Sequence, residues 1–172
     1  MDLRFTAPDL RRLDLAGTEV LVACLTEGER PPRGVAGLVD WRLAGRLSAL
    51  LLSGFASGKV GEVLLIPGKP KLPFDKIVLF GIGRAETFSE LVYSDVVRRI
   101  LDTLEGLHVR NAVVQLPGRH LQAISAARAA DLLLEQAATR PEHDIWTLLE
   151  SAESQRSITQ HMIQERRRVR QQ

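Results

Sequence analysis

The run Lys76-Ile-Val-Leu-Phe-Gly-Ile-Gly83 limits what this chain can fold into more than any other stretch. Four large apolar residues, Ile77 to Phe80, lead into two glycines that bracket Ile82. An apolar run without polar alternation reads as a strand buried on both faces, as in a parallel or mixed sheet. Thr87-Phe-Ser-Glu90 then fits a capping box at the start of a helix. Strand, glycine turn and helix start form an arrangement that often holds a ligand in α/β proteins. Gly81, Gly83 and Arg84 are therefore the candidate ligand turn.

Around this stretch the pattern repeats. Residues 2–6 read as a short edge strand and Asp14 to Gly17 as a turn. Thr18 to Leu25 is a second buried strand, chosen over helix by its short length and flanking glycines. Apolar steps of three and four from Leu38 to Leu51 predict one helix over Gly37 to Leu52, stopped by Gly54. Gly61 to Pro67 is a third strand. A helix over Phe88 to Leu104 carries Leu91, Val92, Val96, Ile100 and Leu104 on one face. Asn111 to Leu116 is a strand, and Leu121 to Ala138 a helix. Pro141, with Glu142 and Asp144 behind it, fits the first turn of a new helix. Strands separated by helices make the class α/β, with a mixed, mostly parallel sheet.

The length, 172 residues, suits one domain with a full core, and 45% apolar with 26% charged residues is ordinary for a globular chain. Apolar runs fall far short of a membrane span, so no membrane is expected as a partner. The first residues lack a signal-peptide pattern, and Cys24 is the lone cysteine, which points to the cytoplasm. From Arg156 onward five arginines face one acid, a charge of +4, which leaves −2 on the preceding 155 residues out of a net +2. The division is thus a domain over residues 1–152 and a basic tail over residues 153–172, helical or partly disordered. Its interaction candidates are Ile158 and Met162 on a thin apolar stripe, with Arg166, Arg167, Arg168 and Arg170.

Few residues point to chemistry. A dinucleotide fingerprint wants a small residue where Glu86 stands, and a carboxylate there opposes a pyrophosphate. The acids are scattered, and His108, His120, His143 and His161 lack paired ligand spacing, so no metal or cofactor is expected. Cys24 reads as an inert buried thiol. Trp41 and Trp146 are placed on helices as core or interface anchors, and Asp40 as a local cap.

The order Gly37-Leu-Val-Asp40, Gly45-Arg-Leu47, Ser53-Gly-Phe55, Gly58-Lys59, Gly61-Glu62 and Val78-Leu-Phe-Gly-Ile-Gly83 resembles the N-terminal domain of the leucyl aminopeptidases, peptidase family M17. The resemblance runs from about Val20 to about Ala138. It implies a macro-domain-like, three-layer α/β/α sandwich. In the family a separate C-terminal domain holds two metal ions and the catalytic Lys and Arg. Its Asn-Thr-Asp-x-Glu-Gly-Arg segment is absent from these residues, so no catalytic position carries over.

The first reading is thus a non-catalytic, stand-alone relative acting in assembly, regulation or protein interaction, as a homo-oligomer or on a full-length aminopeptidase. A second is a macro-like module binding ADP-ribose or a related nucleotide near Gly81. Nucleic-acid binding through the arginine tail stands third, because that run lacks interleaved aromatics.

Overall fold

In the computed structural model, which describes residues 1–140 and 145–171, strands β1 (Asp2–Thr6), β2 (Val20–Thr26), β3 (Val63–Pro67), β4 (Lys76–Gly83), β5 (Asn111–Val114) and β6 (Ile145–Leu149) form one sheet. Its order is β1-β6-β5-β2-β4-β3. Every pairing is parallel except β3 against β4. The mixed, mostly parallel sheet expected from the sequence is therefore present.

The two-residue period of β2 and β4 makes two cores. Val20, Val22, Cys24, Val78, Phe80 and Ile82 face α4 (Glu90–Gly106) and α5 (Ala126–Ala137). Leu21, Ala23, Leu25, Ile77 and Leu79 face α1 (Leu10–Leu15), α2 (Gly34–Arg42) and α3 (Arg46–Leu52). The result is the three-layer α/β/α sandwich. A final helix, α6 (Ala152–Arg170), lies on α5, with Ile158 buried against Ala126 and Ala130 and Met162 partly buried beside them.

Several local expectations change. The Asp14–Gly17 turn is the end of α1, which Asp9 caps by accepting from the Arg12 amide at 2.8 Å. The single helix over 37–52 is two, because Ala44 and Gly45 turn left-handed (φ 55° and 81°). Asp40 braces that joint: its carboxylate accepts from the amide of Ser48 at 2.9 Å and its hydroxyl at 2.5 Å. Helix α4 begins two residues later than the Thr87 capping box implies; Ser89 is its cap, and Thr87 sits in a 3-10 turn donating to the Arg84 carbonyl. The helix expected from Leu121 starts at Ala126, after a loop. Trp146 is on β6, fully buried, rather than on a helix. The helix start read at Pro141, Glu142 and Asp144 lies outside the described residues, as does His143.

Cys24 is fully buried on β2, and burial alone pushes its thiol up to about 12. Thiolate is the reactive form. Native protein at pH 8 should therefore resist iodoacetamide and react only in denaturant. Stoichiometric native labelling, read by mass spectrometry, would contradict the burial.

Candidate functional site

The Gly81–Gly83 turn is filled by its own chain. Glu62 gathers the preceding loop: its carboxylate accepts from the amides of Ser57 (2.8 Å) and Gly58 (3.0 Å) and from the Ser57 hydroxyl (2.7 Å). Burial works to raise the Glu62 pKa, but the amide bonds from Gly58 and Ser57 outweigh it and hold the carboxyl below its usual range. The gathered loop then takes both glycine amides, Gly81 N donating to the Glu62 carbonyl and Gly83 N to that of Gly58, each at 2.9 Å. Neither amide is left for an anion. Arg84 is exposed, 3.9 Å from Glu27.

A different place gathers polar groups. The C-terminal ends of β1, β2, β5 and β6 all point the same way, where open α/β sheets bind ligands. There a cleft of about 330 Å³ is lined by Pro8, Gly34, Val35, Leu38, Gln115, Arg119, His120, Gln122, Leu149, Glu150, Ser151 and Ser154. Gln115 directly follows β5, and its Oε1 accepts from the Cys24 amide at 3.0 Å. Arg119 grips Glu150 through two bonds, Nε to Oε1 at 2.8 Å and Nη2 to Oε2 at 3.0 Å. The same guanidinium donates to the Ile124 carbonyl and to Ser154 Oγ. The pair thus ties the loop after β5 to the start of α6.

His120 Nε2 lies 3.1 Å from Thr26 Oγ1 and 3.7 Å from Glu29, and its Nδ1 has no partner. Burial lowers the His120 pKa, outweighing the opposing pull of Glu29, so the ring is neutral at pH 7. A base whose folded pKa lies below its unfolded value binds fewer protons when folded. Its stabilising effect is whole above the unfolded value near 6.5 and is lost as pH falls toward the folded value. His120→Gln should flatten the fall in melting temperature between pH 7 and 5. An unchanged slope would contradict this.

Among the described residues no group of three His, Cys, Asp or Glu is placed to hold a metal. Of the tail candidates, Ile158 and Met162 face α5, while Arg166, Arg167, Arg168 and Arg170 stay exposed on the last turns of α6. Large apolar groups are also uncovered elsewhere, Leu91 at the start of α4 (84% exposed) and Leu15 among them. Trp41 on α2 is 78% exposed, Leu52 at the end of α3 78%, and Phe55 just beyond 71%. Trp41 also rims a shallow hollow with Asp40, Ala44 and Gly45.

Residues 21–140 match the N-terminal domain of the cytosol aminopeptidase family. The chain belongs to that family. A probable cytosol aminopeptidase of Pseudomonas fluorescens (strain Pf0-1) is 36% identical over 99 residues, covering 58% of this chain and 20% of the relative. The cytosol aminopeptidase of Pseudomonas aeruginosa PAO1 is 32% identical over 118 residues, covering 69% of this chain and 24% of the relative. The chain thus spans 20–24% of the length of these relatives. A tomato leucine aminopeptidase mutant superposes with TM-score 0.65 at 15% identity, covering 94% of this chain and 35% of its own. The Oceanobacillus iheyensis macrodomain with ADP gives 0.64 at 14% identity, covering 88% and 89%. The macrodomain of Mycobacterium tuberculosis DarG gives 0.64 at 15%, covering 87% and 98%. At such identities these likenesses establish the fold, a macrodomain-like α/β sandwich. No helix among the described residues is long and apolar enough to cross a membrane.

Proposed function

We propose that this cytosol-aminopeptidase-type domain is a non-catalytic docking module of the cytoplasm, seated on another aminopeptidase-family polypeptide through its α2–α3 face. The observation carrying this is Trp41, largely uncovered on α2, with Leu52 at the end of α3 and Phe55 just beyond it uncovered as well. Isolated aliphatics on a surface are ordinary, whereas an exposed tryptophan with large apolar companions marks an interaction surface. Tryptophan also dominates interface energetics, because it buries a large area with few rotors. The face lies on α2 and α3, and the tail's own apolar stripe is engaged by α5. Family membership supplies the partner class, since the relatives are whole aminopeptidases of which this chain matches only the N-terminal part.

Sedimentation of the chain mixed with a full-length cytosol aminopeptidase is expected to show a complex. Trp41→Ser combined with Phe55→Ser should weaken it at least ~30-fold, the size of a lost aromatic hot spot of about 2 kcal/mol. Unchanged profiles of both proteins, or a complex indifferent to the two substitutions, would reject the proposal. The same pure chain should cleave no leucine anilide with Zn²⁺ or Mn²⁺ present.

A further inference from the structure

The cleft floor holds hydrogen-bond donors that have no protein acceptor. Gln115 is 3% exposed. Because the Cys24 amide can only donate, it fixes the carboxamide orientation, with Oε1 toward Cys24 and the NH₂ group on the other side. That NH₂ finds no acceptor among the described residues. It lies where a Cβ on Gly34 would come within 2.8 Å of it, so it sits against the first turn of α2. Helix α2 has no side-chain cap at Arg33, and the amides of Gly34 and Val35 have no acceptor either. His120, with its side chain 8% exposed and Nδ1 unpaired, completes the floor as a donor or an acceptor according to its tautomer. The Gln115 NH₂ and the opening amides of α2 are thus donors open to an acceptor placed in the cleft.

Charge decides what kind. Glu150 lines the cleft and Glu29 lies beside His120, while Arg119, the one arginine among the lining residues, is engaged with Glu150, Ile124 and Ser154. Glu29 lies 3.7 Å from the neutral His120 and accepts from the Arg33 amide at the head of α2. The helix dipole is therefore already answered by one carboxylate, and a second anion would meet repulsion. Val35, Leu38, Leu149 and Pro8 supply apolar walls. A volume of about 330 Å³ is at the small end for ligand sites, roughly 300–1,000 Å³.

We infer that the cleft binds a small uncharged heterocycle bearing a carbonyl, an amide or lactam of nucleoside size or less. Its oxygen accepts from Gln115 Nε2 and the opening amides of α2, and its ring lies against Val35, Leu38 and Leu149. The site shares helix α2 with the docking face but uses its first turns rather than Trp41.

The test is an NMR titration of the ¹⁵N-labelled chain with nicotinamide and uridine, set against nicotinate and ADP-ribose. Nicotinamide or uridine should shift the Gly34 and Val35 amides and the Gln115 side-chain NH₂. Nicotinate, the same ring with a carboxylate, and ADP-ribose should bind at least ~10-fold more weakly. Gln115→Glu keeps an acceptor for Cys24 and removes the donor, and should weaken nicotinamide or uridine at least ~10-fold. Leu38→Trp, which fills the cleft from its wall, should abolish the shifts and serves should Gln115→Glu fail to fold. Absence of shifts with both neutral probes at ~10 mM overturns the site, since that corresponds to under about 3 kcal/mol. Tighter binding of nicotinate or ADP-ribose overturns the charge argument, and binding unchanged in Gln115→Glu or in Leu38→Trp overturns the placement.

Discussion

Arg119→Met is expected to destabilise the domain by about 3–5 kcal/mol, because it leaves the Glu150 carboxylate buried without its counter-charge. The two bonds to Glu150 at 2.8 and 3.0 Å are lost together with those to Ile124 and Ser154. Breaking one side of a buried pair costs far more than the pair contributes net. The double variant Arg119→Met/Glu150→Leu should therefore recover most of the loss. Urea unfolding separates the cases through the midpoint at constant slope. A single-variant loss under about 1 kcal/mol would mean that water reaches Glu150 and that the pair behaves as a surface one.

Gly81→Ala should be nearly as damaging. An added Cβ would lie 2.0 Å from the Lys59 carbonyl oxygen and 2.7 Å from the Gly58 carbonyl. Both obstacles are backbone, the Gly58 amide held by the Glu62 carboxylate and the Lys59 carbonyl by the Glu62 amide, so they cannot rotate aside. Overpacking usually costs about 1–3 kcal/mol, and a clash with fixed backbone belongs at or above the top of that range. Gly106, at the end of α4, has nothing within 4 Å of its added Cβ and an ordinary φ. Gly106→Ala is expected to stabilise by about 0.4–1 kcal/mol through the unfolded chain. If Gly81→Ala proved neutral, the close approach of residues 58–62 to β4 would be wrong.

That contrast also marks what the residue pattern could tell. The apolar runs of β2 and β4 announce themselves, since a strand buried on both faces leaves no polar alternation. The glycines after Phe80 are equally visible, but their purpose is not. Whether Gly81 leaves room for a phosphate or for a neighbouring loop depends on Glu62, nineteen positions earlier, a long-range contact that no local pattern encodes. β6 is not legible as a strand because five residues, IWTLL, are too few to show a period. The break in 37–52 came from Ala44 adopting φ 55°, a conformation alanine does not advertise. The cleft residues Gln115, Arg119, His120 and Glu150 share one signal, their positions after the C-terminal ends of β5 and β6, but it becomes readable only once the parallel order is known. For the tail, the thin stripe of Ile158 and Met162 is legible in the sequence, but that α5 is what it packs on is not.

The docking account is tested most directly at Trp41 itself. With 5-fluorotryptophan incorporated, the chain carries two ¹⁹F reporters, Trp41 in solvent and Trp146 in the core. Adding unlabelled full-length cytosol aminopeptidase should shift or broaden the Trp41 resonance and leave that of Trp146 in place. A Trp41 resonance unmoved at saturating aminopeptidase, or one that moves only in step with Trp146, would contradict docking through the α2–α3 face.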